Sequence, residues 1–398
     1  MQSPLFTPAD LLIPKESFLP RWSVVACDQF TSEPDYWEAV RALTTDVPST
    51  YHITLPEIYL NDHVEERITA INKTMLDYQE SDLFRTFPHA LIYVERTLPS
   101  GRVRRGLVGA VDLEAYDYTP GSTSPIRATE KTVLERIPPR VHIREHASLE
   151  LPHIMLLIHD EAHAIFSTIH PEACPVVYDF DLMQHGGHIK GYLLTGEHAD
   201  AVCTLFDTLK GPIRIAVGDG NHSLAAAKAC YEAIRQEIGA EAAAHHPARY
   251  ALAEVGDIGD DSLVFEPIHR TVFHTDPAKL LTFLSGLNGC DHTVSYVTAD
   301  GEGTISLPAC GNTLACGALQ HQLDRYLAEN GGEVDYIHGD DTARQLGQQP
   351  GAISFLLPVF DKTTLFDVVE RDGTLPRKAF SMGHASDKRY YLECRRIR

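Results

Sequence analysis

The chain has 398 residues, with 55 acidic against 34 basic side chains for a formal charge of −21, and 43% of it is hydrophobic. Such a length can bury a large core in two or three compact units, while the acidic balance argues against DNA, whose phosphates are held by clustered Lys and Arg. No apolar run reaches the ~20 residues that cross a bilayer, and no basic segment followed by an apolar one opens the chain, so a cytoplasmic protein without a membrane partner is expected.

In chain order, Thr31-Ser32-Glu33-Pro34 opens a helix over 34–43. Over 62–78, Val64, Ile68, Ile71 and Met75 form one apolar stripe, which predicts a second helix packed on a core. Ala90–Thr97 and Arg105–Leu113 read as a hairpin around a 98–104 turn, with Arg102, Arg104 and Arg105 on a solvated edge. Leu151–His159 predicts a strand, Ala199–Lys210 a helix, Ile213–Val217 a buried strand and alanine-rich Leu224–Ile238 a strong helix. Strands follow at 250–255 and 263–268, helices at 278–287 and 314–328, and late strands at 353–358 and 389–394; Arg395, Arg396 and Arg398 read as a solvated tail. The fold class is mixed α/β (α+β). The acidic, glycine-rich Gly256–Asp261 marks a switch from a core over 1–255 to a C-terminal α/β unit over 256–398.

The richest stretch is Gly218-Asp219-Gly220-Asn221-His222-Ser223, which joins the 213–217 strand to the 224–238 helix. Two glycines let the backbone turn sharply and approach a ligand, and the first amides of a helix have no intrahelical acceptor. A phosphate suits that demand, so Asp219, Gly220, Asn221, His222 and Ser223 are candidate phosphate or nucleotide ligands. The alternative is that Asn221 or Ser223 only caps the helix and His222 is a surface residue.

A phosphate corner becomes an enzyme only where acid, base and cation converge on it. Asp28, at the end of the apolar run Val24-Val25-Ala26, is a candidate proton acceptor or else a turn-forming Asx residue. Glu130 stands between Arg127 and Lys131, where the two cations would hold an anion and the carboxylate orient a hydroxyl, or all three form structural ion pairs. Asp28, Glu130 and His222 are the catalytic candidates. His269 and Arg270 follow the 263–268 strand, with Arg270 a second phosphate ligand and His269, Arg127, Lys131 and Lys378 further anion-binding candidates.

The eight cysteines include no Cys-x-x-Cys pair, and neither His185-Gly-Gly-His188 nor His245-His246 has the helical His-Glu-x-x-His spacing of a zinc site. No dedicated protein metal site is expected. A magnesium arriving with ADP or ATP needs only one or two carboxylates besides the phosphates.

Several blocks resemble the bacterial and archaeal domain-of-unknown-function family 1015. They are Trp22–Trp37, Arg127-Ala-Thr-Glu-Lys-Thr132, Asp179-Phe-Asp-Leu-Met183, Gly187-His-Ile-Lys-Gly191, Pro267-Ile-His-Arg270, Asp335-Tyr-Ile-His-Gly339 and Pro376-Arg-Lys-Ala-Phe380. The Asp219-Gly-Asn-His-Ser corner is similar to the Asp-Gly-His-His-Arg signature of the ParB/sulfiredoxin superfamily, with Asn221 in place of the first His and Ser223 in place of the Arg. That resemblance implies a ParB/sulfiredoxin-like core carrying an insertion at about 61–200. It also implies a phosphorylated small molecule or nucleotide as ligand, and a small-molecule phosphotransferase like the free serine kinases. A nucleotide-responsive regulatory protein in the manner of ParB, without turnover, is the alternative. The sulfiredoxin cysteine falls at Asn221, which removes the nucleophile for sulfinic-acid reduction.

Overall fold

A computed structural model describes residues 4–398 except 133, 135, 136, 288 and 312; the first three residues, part of the N-terminal reading, lie outside it. The chain forms two compact units, Met1–Ala128 with Thr132–Leu263 and His384–Arg398, and Thr129–Lys131 with Val264–Gly383. The sequence placed its switch at Gly256, while the second unit begins at Val264 and the last fifteen residues return to the first.

The first unit is built on one mixed sheet. Its strands are β1 (Phe6–Thr7), β2 (Ala9–Pro14), β3 (Phe84–Thr97), β4 (Val103–Asp112), β5 (Tyr116–Asp117) and β6 (Ile126–Ala128). β7 (Leu149–Glu150) lies apart, and β8 (Met155–Ile158), β9 (Val176–Asp181), β10 (His188–Thr195), β11 (Ile215–Asp219) and β12 (Tyr250–Asp257) complete the sheet. The order is β5-β6-β11-β8-β12-β4-β3-β10-β9, with β1 on β4 and β2 on β3. β11 runs parallel to β6 and antiparallel to β8.

Successive side chains of a strand face opposite ways, and both faces here are covered. Leu91 and Tyr93 enter one core with Ala251, Ala253 and Val255, whereas Ala90, Ile92 and Val94 enter the other with Leu252. Helices α1 (Pro34–Thr44), α2 (Val64–Glu80), α3 (Ile137–Arg144), α4 (Ala164–Thr168), α5 (Gly196–Leu205), α6 (Asn221–Ile238) and α7 (Ala240–Ala243) belong to this unit. The stripe Ile68, Ile71 and Met75 of α2 is buried on the second core, and Leu224, Ala227 and Tyr231 of α6 on the first. The small residues Ala225 and Ala226 of α6 let Ile137 of α3 pack closely.

The second unit carries β13 (Phe265–Phe273), β14 (His292–Thr298), β15 (Gly301–Leu307), β16 (Glu333–His338), β17 (Ile353–Leu356) and β18 (Phe380–Met382). They form a sheet of order β15-β14-β17-β13-β16, with β18 on β13. Its helices are α8 (Pro277–Ser285), α9 (Ala315–Asn330), α10 (Asp340–Gly347) and α11 (Leu365–Asp372).

Three local readings are corrected. The expected 389–394 strand is instead a pair of isolated bridges, Val25 with Arg389 and Leu12 with Cys394, followed by β19 (Arg395–Arg396) on β7. Arg395 is 7% exposed and ion-paired to Glu150, not part of a solvated tail, because β7 supplies it with a buried carboxylate. Arg104 pairs with Glu254 because β4 is an interior strand flanked by β3 and β12.

Candidate functional site

The strand-to-helix corner is shorter than the sequence implied. β11 runs on to Asp219 and α6 begins at Asn221, so the turn is made at Gly220, whose φ is +82°. A side chain there would be strained by the left-handed backbone, and its Cβ would stand 3.0 Å from the Ile154 Cα. Asp219 Oδ1 accepts from the Gly220 amide at 2.9 Å, and among the described residues no side chain caps α6. Asn221 is 8% exposed, and its Oδ1 has no hydrogen-bond partner among the described residues.

Three segments distant in sequence bring charge to this helix end. The C-terminal return runs beside residues 23–26: the Ala26 amide donates to Lys388 O at 2.8 Å and the Tyr390 amide to Val24 O at 3.0 Å. Arg389 locks the pair by donating to Ser386 O and Ser23 O, and Arg96 reaches across to Asp387 O. Lys388 Nζ thereby lies 3.3 Å from Asp219 Oδ2 and beside Asp28. From the loop before β8, His153 places Nε2 3.3 Å from Ser223 Oγ, its ring edge-on to Tyr390.

Asp28 is the electrostatic centre. Burial pushes its carboxyl up, but His153, the side-chain hydrogen bond from Gln29, Lys388 and Arg140 together outweigh that, and it is held below the ordinary range. An ionised carboxylate at neutral pH results. The neighbouring Cys27 behaves oppositely: burial first, then the Asp28 charge, pushes its thiol up to about 12. It stays protonated and is no nucleophile at neutral pH.

Beside the corner opens a cleft of about 120 Å³. Cys27, His153, Ser223 and Tyr390 line it together with Arg140 and Arg144 of α3 and an apolar wall that includes Leu55, Met75 and Leu149. Arg140 is ion-paired to Glu57. Among the described residues no group of three or more His, Cys, Asp or Glu is placed to hold a metal ion.

The expected site residues therefore divide. Asp28, Asp219, Gly220, Asn221, His222 and Ser223 belong to the first unit. Arg127 lies on β6 opposite Ala216 of β11, its Nε donating to Ser124 O at 2.7 Å. Glu130 and Lys131 fall in the second unit, where Glu130 forms a bridge with Leu375 and Lys131 is exposed, as is Lys378. His269 and Arg270 do not follow a strand. They lie inside β13, which continues to Phe273 in register with β16 and β17, because its polar residues find partners on the elements packed around it. The His269 ring lies 2.9 Å from Asp340 Oδ1 and accepts from the Leu357 amide at 3.0 Å; Arg270 donates to Ile268 O, Arg377 O and Gln320.

Sequence reasoning missed Lys388, His153 and Arg140. The available signal was Asp387-Lys388-Arg389, a charged run directly before the apolar Tyr390-Tyr391-Leu392. A charged run abutting an apolar one marks a segment that enters a core and carries its charges with it.

The described part of the chain thus defines a mixed α/β protein with a charged, cleft-bordered strand-to-helix corner. It belongs to the family described as protein of unknown function, DUF1015, whose model matches residues 7–394. No curated protein matches the sequence. Among solved structures, a C-terminally truncated SbnI from Staphylococcus aureus is similar at 13% identity and a TM-score of 0.36, over 69% of this chain and 83% of that one. A free serine kinase variant in complex with ADP gives 10% and 0.37 over 68% and 88%, and a conserved hypothetical protein from Pyrococcus furiosus 10% and 0.36 over 69% and 90%. Likeness of this degree carries no activity across. No described helix is long and apolar enough to cross a membrane.

Proposed function

We propose that the β11–α6 corner holds the phosphate of a nucleotide or other phosphorylated ligand and that the chain transfers a phosphoryl group to a small hydroxylated molecule. The observation that carries this reading is the meeting of Asp28, His153 and Lys388, from three segments, at the uncapped start of α6. The helix amides and Lys388 supply donors and positive charge where a phosphate's charge would lie, in the place of the arginine that Ser223 replaces. Asp28 is ionised and takes the proton: the acceptor oxygen bonds to phosphorus, the bond from phosphorus to the leaving phosphate oxygen breaks, and the hydroxyl proton passes to the Asp28 carboxylate. Asp219, at the corner itself, is the carboxylate that would hold a phosphate-borne Mg²⁺, and such an ion would neutralise charge on the phosphoryl oxygens.

A thermal-shift screen over ADP, ATP, CTP and pyrophosphate, with and without magnesium, tests the site. A ligand that binds only the native state at a hundredfold excess over its dissociation constant adds about 2.7 kcal/mol. A hit that also yields a phosphorylated product supports transfer. A hit without product under any acceptor favours the regulatory, ParB-like reading, and silence from every phosphate removes the corner as an anion site.

A further inference from the structure

The proposed transfer needs a place for the acceptor, and the cleft beside Ser223 and His153 has a distinctive charge pattern. Most of its wall is apolar, with Ile53, Leu55, Met75, Ile143 and Leu149 among the lining residues. Its two arginines sit one turn apart on α3, about 6 Å along the axis. Arg140 is the nearer to the acidic centre, acting on both Asp28 and Cys27, and is committed to Glu57.

Arg144 is different. It bonds Glu150 Oε1, but Oε2 of the same carboxylate takes Arg395 Nε and Nη2 at 3.2 and 3.1 Å and the Leu252 amide at 2.9 Å. Glu150 is ionised: burial pushes it up, and Arg144, Arg395 and the Leu252 amide pull it lower still. One negative charge thus faces two guanidinium groups. Arg395 directs its other donors to Pro247 O and Tyr250 O, whereas the Arg144 side chain has among the described residues no hydrogen bond beyond Glu150. The surplus positive charge is therefore available on Arg144, at the cleft wall. Among the described residues that line the cleft or act on it, no carboxylate is available in the same way. Glu57 faces Arg140, Glu150 faces two arginines, and Asp28 faces Lys388 and His153.

We infer that the cleft binds a small hydroxy acid lacking an amino group, with its carboxylate on Arg144, its carbon spine along the apolar wall and its hydroxyl toward His153, Ser223 and Asp28. A cavity of ~150 Å³ in another protein admits benzene, so a cleft of about 120 Å³ suits a molecule of similar heavy-atom count. An ammonium group would meet surplus positive charge, with no carboxylate of the described lining left to pair it. Only the fate of the hydroxyl rests on the phosphotransfer reading; the binding does not.

Isothermal titration of the full chain with 4-hydroxybutyrate, 1,4-butanediol and homoserine tests this, since the diol lacks the carboxylate and homoserine adds only an amino group. The hydroxy acid is expected to bind tenfold or more tighter than either, about 1.4 kcal/mol. Arg144→Gln should bring it to the level of the diol without changing ADP affinity. Equal or tighter binding of the diol or homoserine, no binding of the hydroxy acid, or an unchanged affinity in folded Arg144→Gln overturns the inference. Should that variant not fold, the wild-type ranking decides alone. ADP titrated in the same preparation separates the two ideas: the ranking without ADP binding keeps the cleft and removes phosphotransfer, and ADP binding without the ranking does the reverse.

Discussion

The two units each carry a cluster of buried or half-buried basic side chains, and the partners of those side chains differ. In the second unit Arg270 is fully buried, donates to two backbone carbonyls and stacks on Tyr336, while His269, 1% exposed, is held between Asp340 and the Leu357 amide. Burial pushes both groups toward their neutral forms. In the first unit Lys388 and His153 face carboxylates and a hydroxyl at an uncapped helix end beside a cleft. Donors that end on backbone carbonyls fix a sheet, because leaving a buried carbonyl unpaired is costly. Donors that face side chains at a cleft can exchange them for a ligand.

The sharpest way to break that contrast is Asp28→Asn, which should leave phosphate-ligand affinity within a few-fold and lower turnover by roughly 10²–10⁴-fold, in a steady-state assay once a product is known. Undiminished turnover would return Asp28 to a structural role. Arg270→Met should act on stability alone, by about 2–4 kcal/mol in urea unfolding, since it strands the Ile268 and Arg377 carbonyls. A stable Arg270→Met with impaired ligand binding would reverse the assignment of the two clusters. Gly220→Ala should cost about 1–3 kcal/mol by thermal unfolding and weaken ligand binding as well, because the +82° φ strains any side chain and a methyl group would crowd Ile154.

The smallest effect is a surface control. His188 is held above its ordinary value by Asp181, with burial opposing and Asp179 adding. A raised folded pKa gives stabilisation that is complete below the unfolded value of about 6.5 and is lost as pH rises through the folded one. His188→Gln should therefore lower the melting temperature slightly at pH 5–6 and not at pH 9. The side chain is 39% exposed, so solvent screening keeps the effect small.

The corner was legible in the sequence because its signals are local: an apolar β-branched run, two glycines and an alanine-rich helix within seventeen residues. Its bounds moved by two or three residues, since the strand runs on through an irregularity at Gly218 to Asp219, which still pairs with Met155, and Asn221 already has helical geometry. Asp28 was legible as a carboxylate at the end of an apolar run. Lys388 and His153 were not: the run 387–389 carries a local signal, but its pairing partner at residues 23–26 lies more than 360 positions away and nothing in the sequence names it. Arg270 and Arg395 were misread for a related reason. Polar residues look like strand ends or tails until their buried partners, the Arg377 carbonyl and Glu150, are in view.

The most direct measurement is an isothermal titration of ADP, with pyrophosphate as a second probe, into the wild-type chain and into Lys388→Ala. Binding to the wild type, weakened about 10- to 100-fold in a variant that melts within a few degrees of it, is the expected result, as hydrogen bonds to a charged group contribute about 1.5–3 kcal/mol. No binding of either ligand to the wild type, or equal affinity in the two proteins, would contradict a phosphate site at the start of α6.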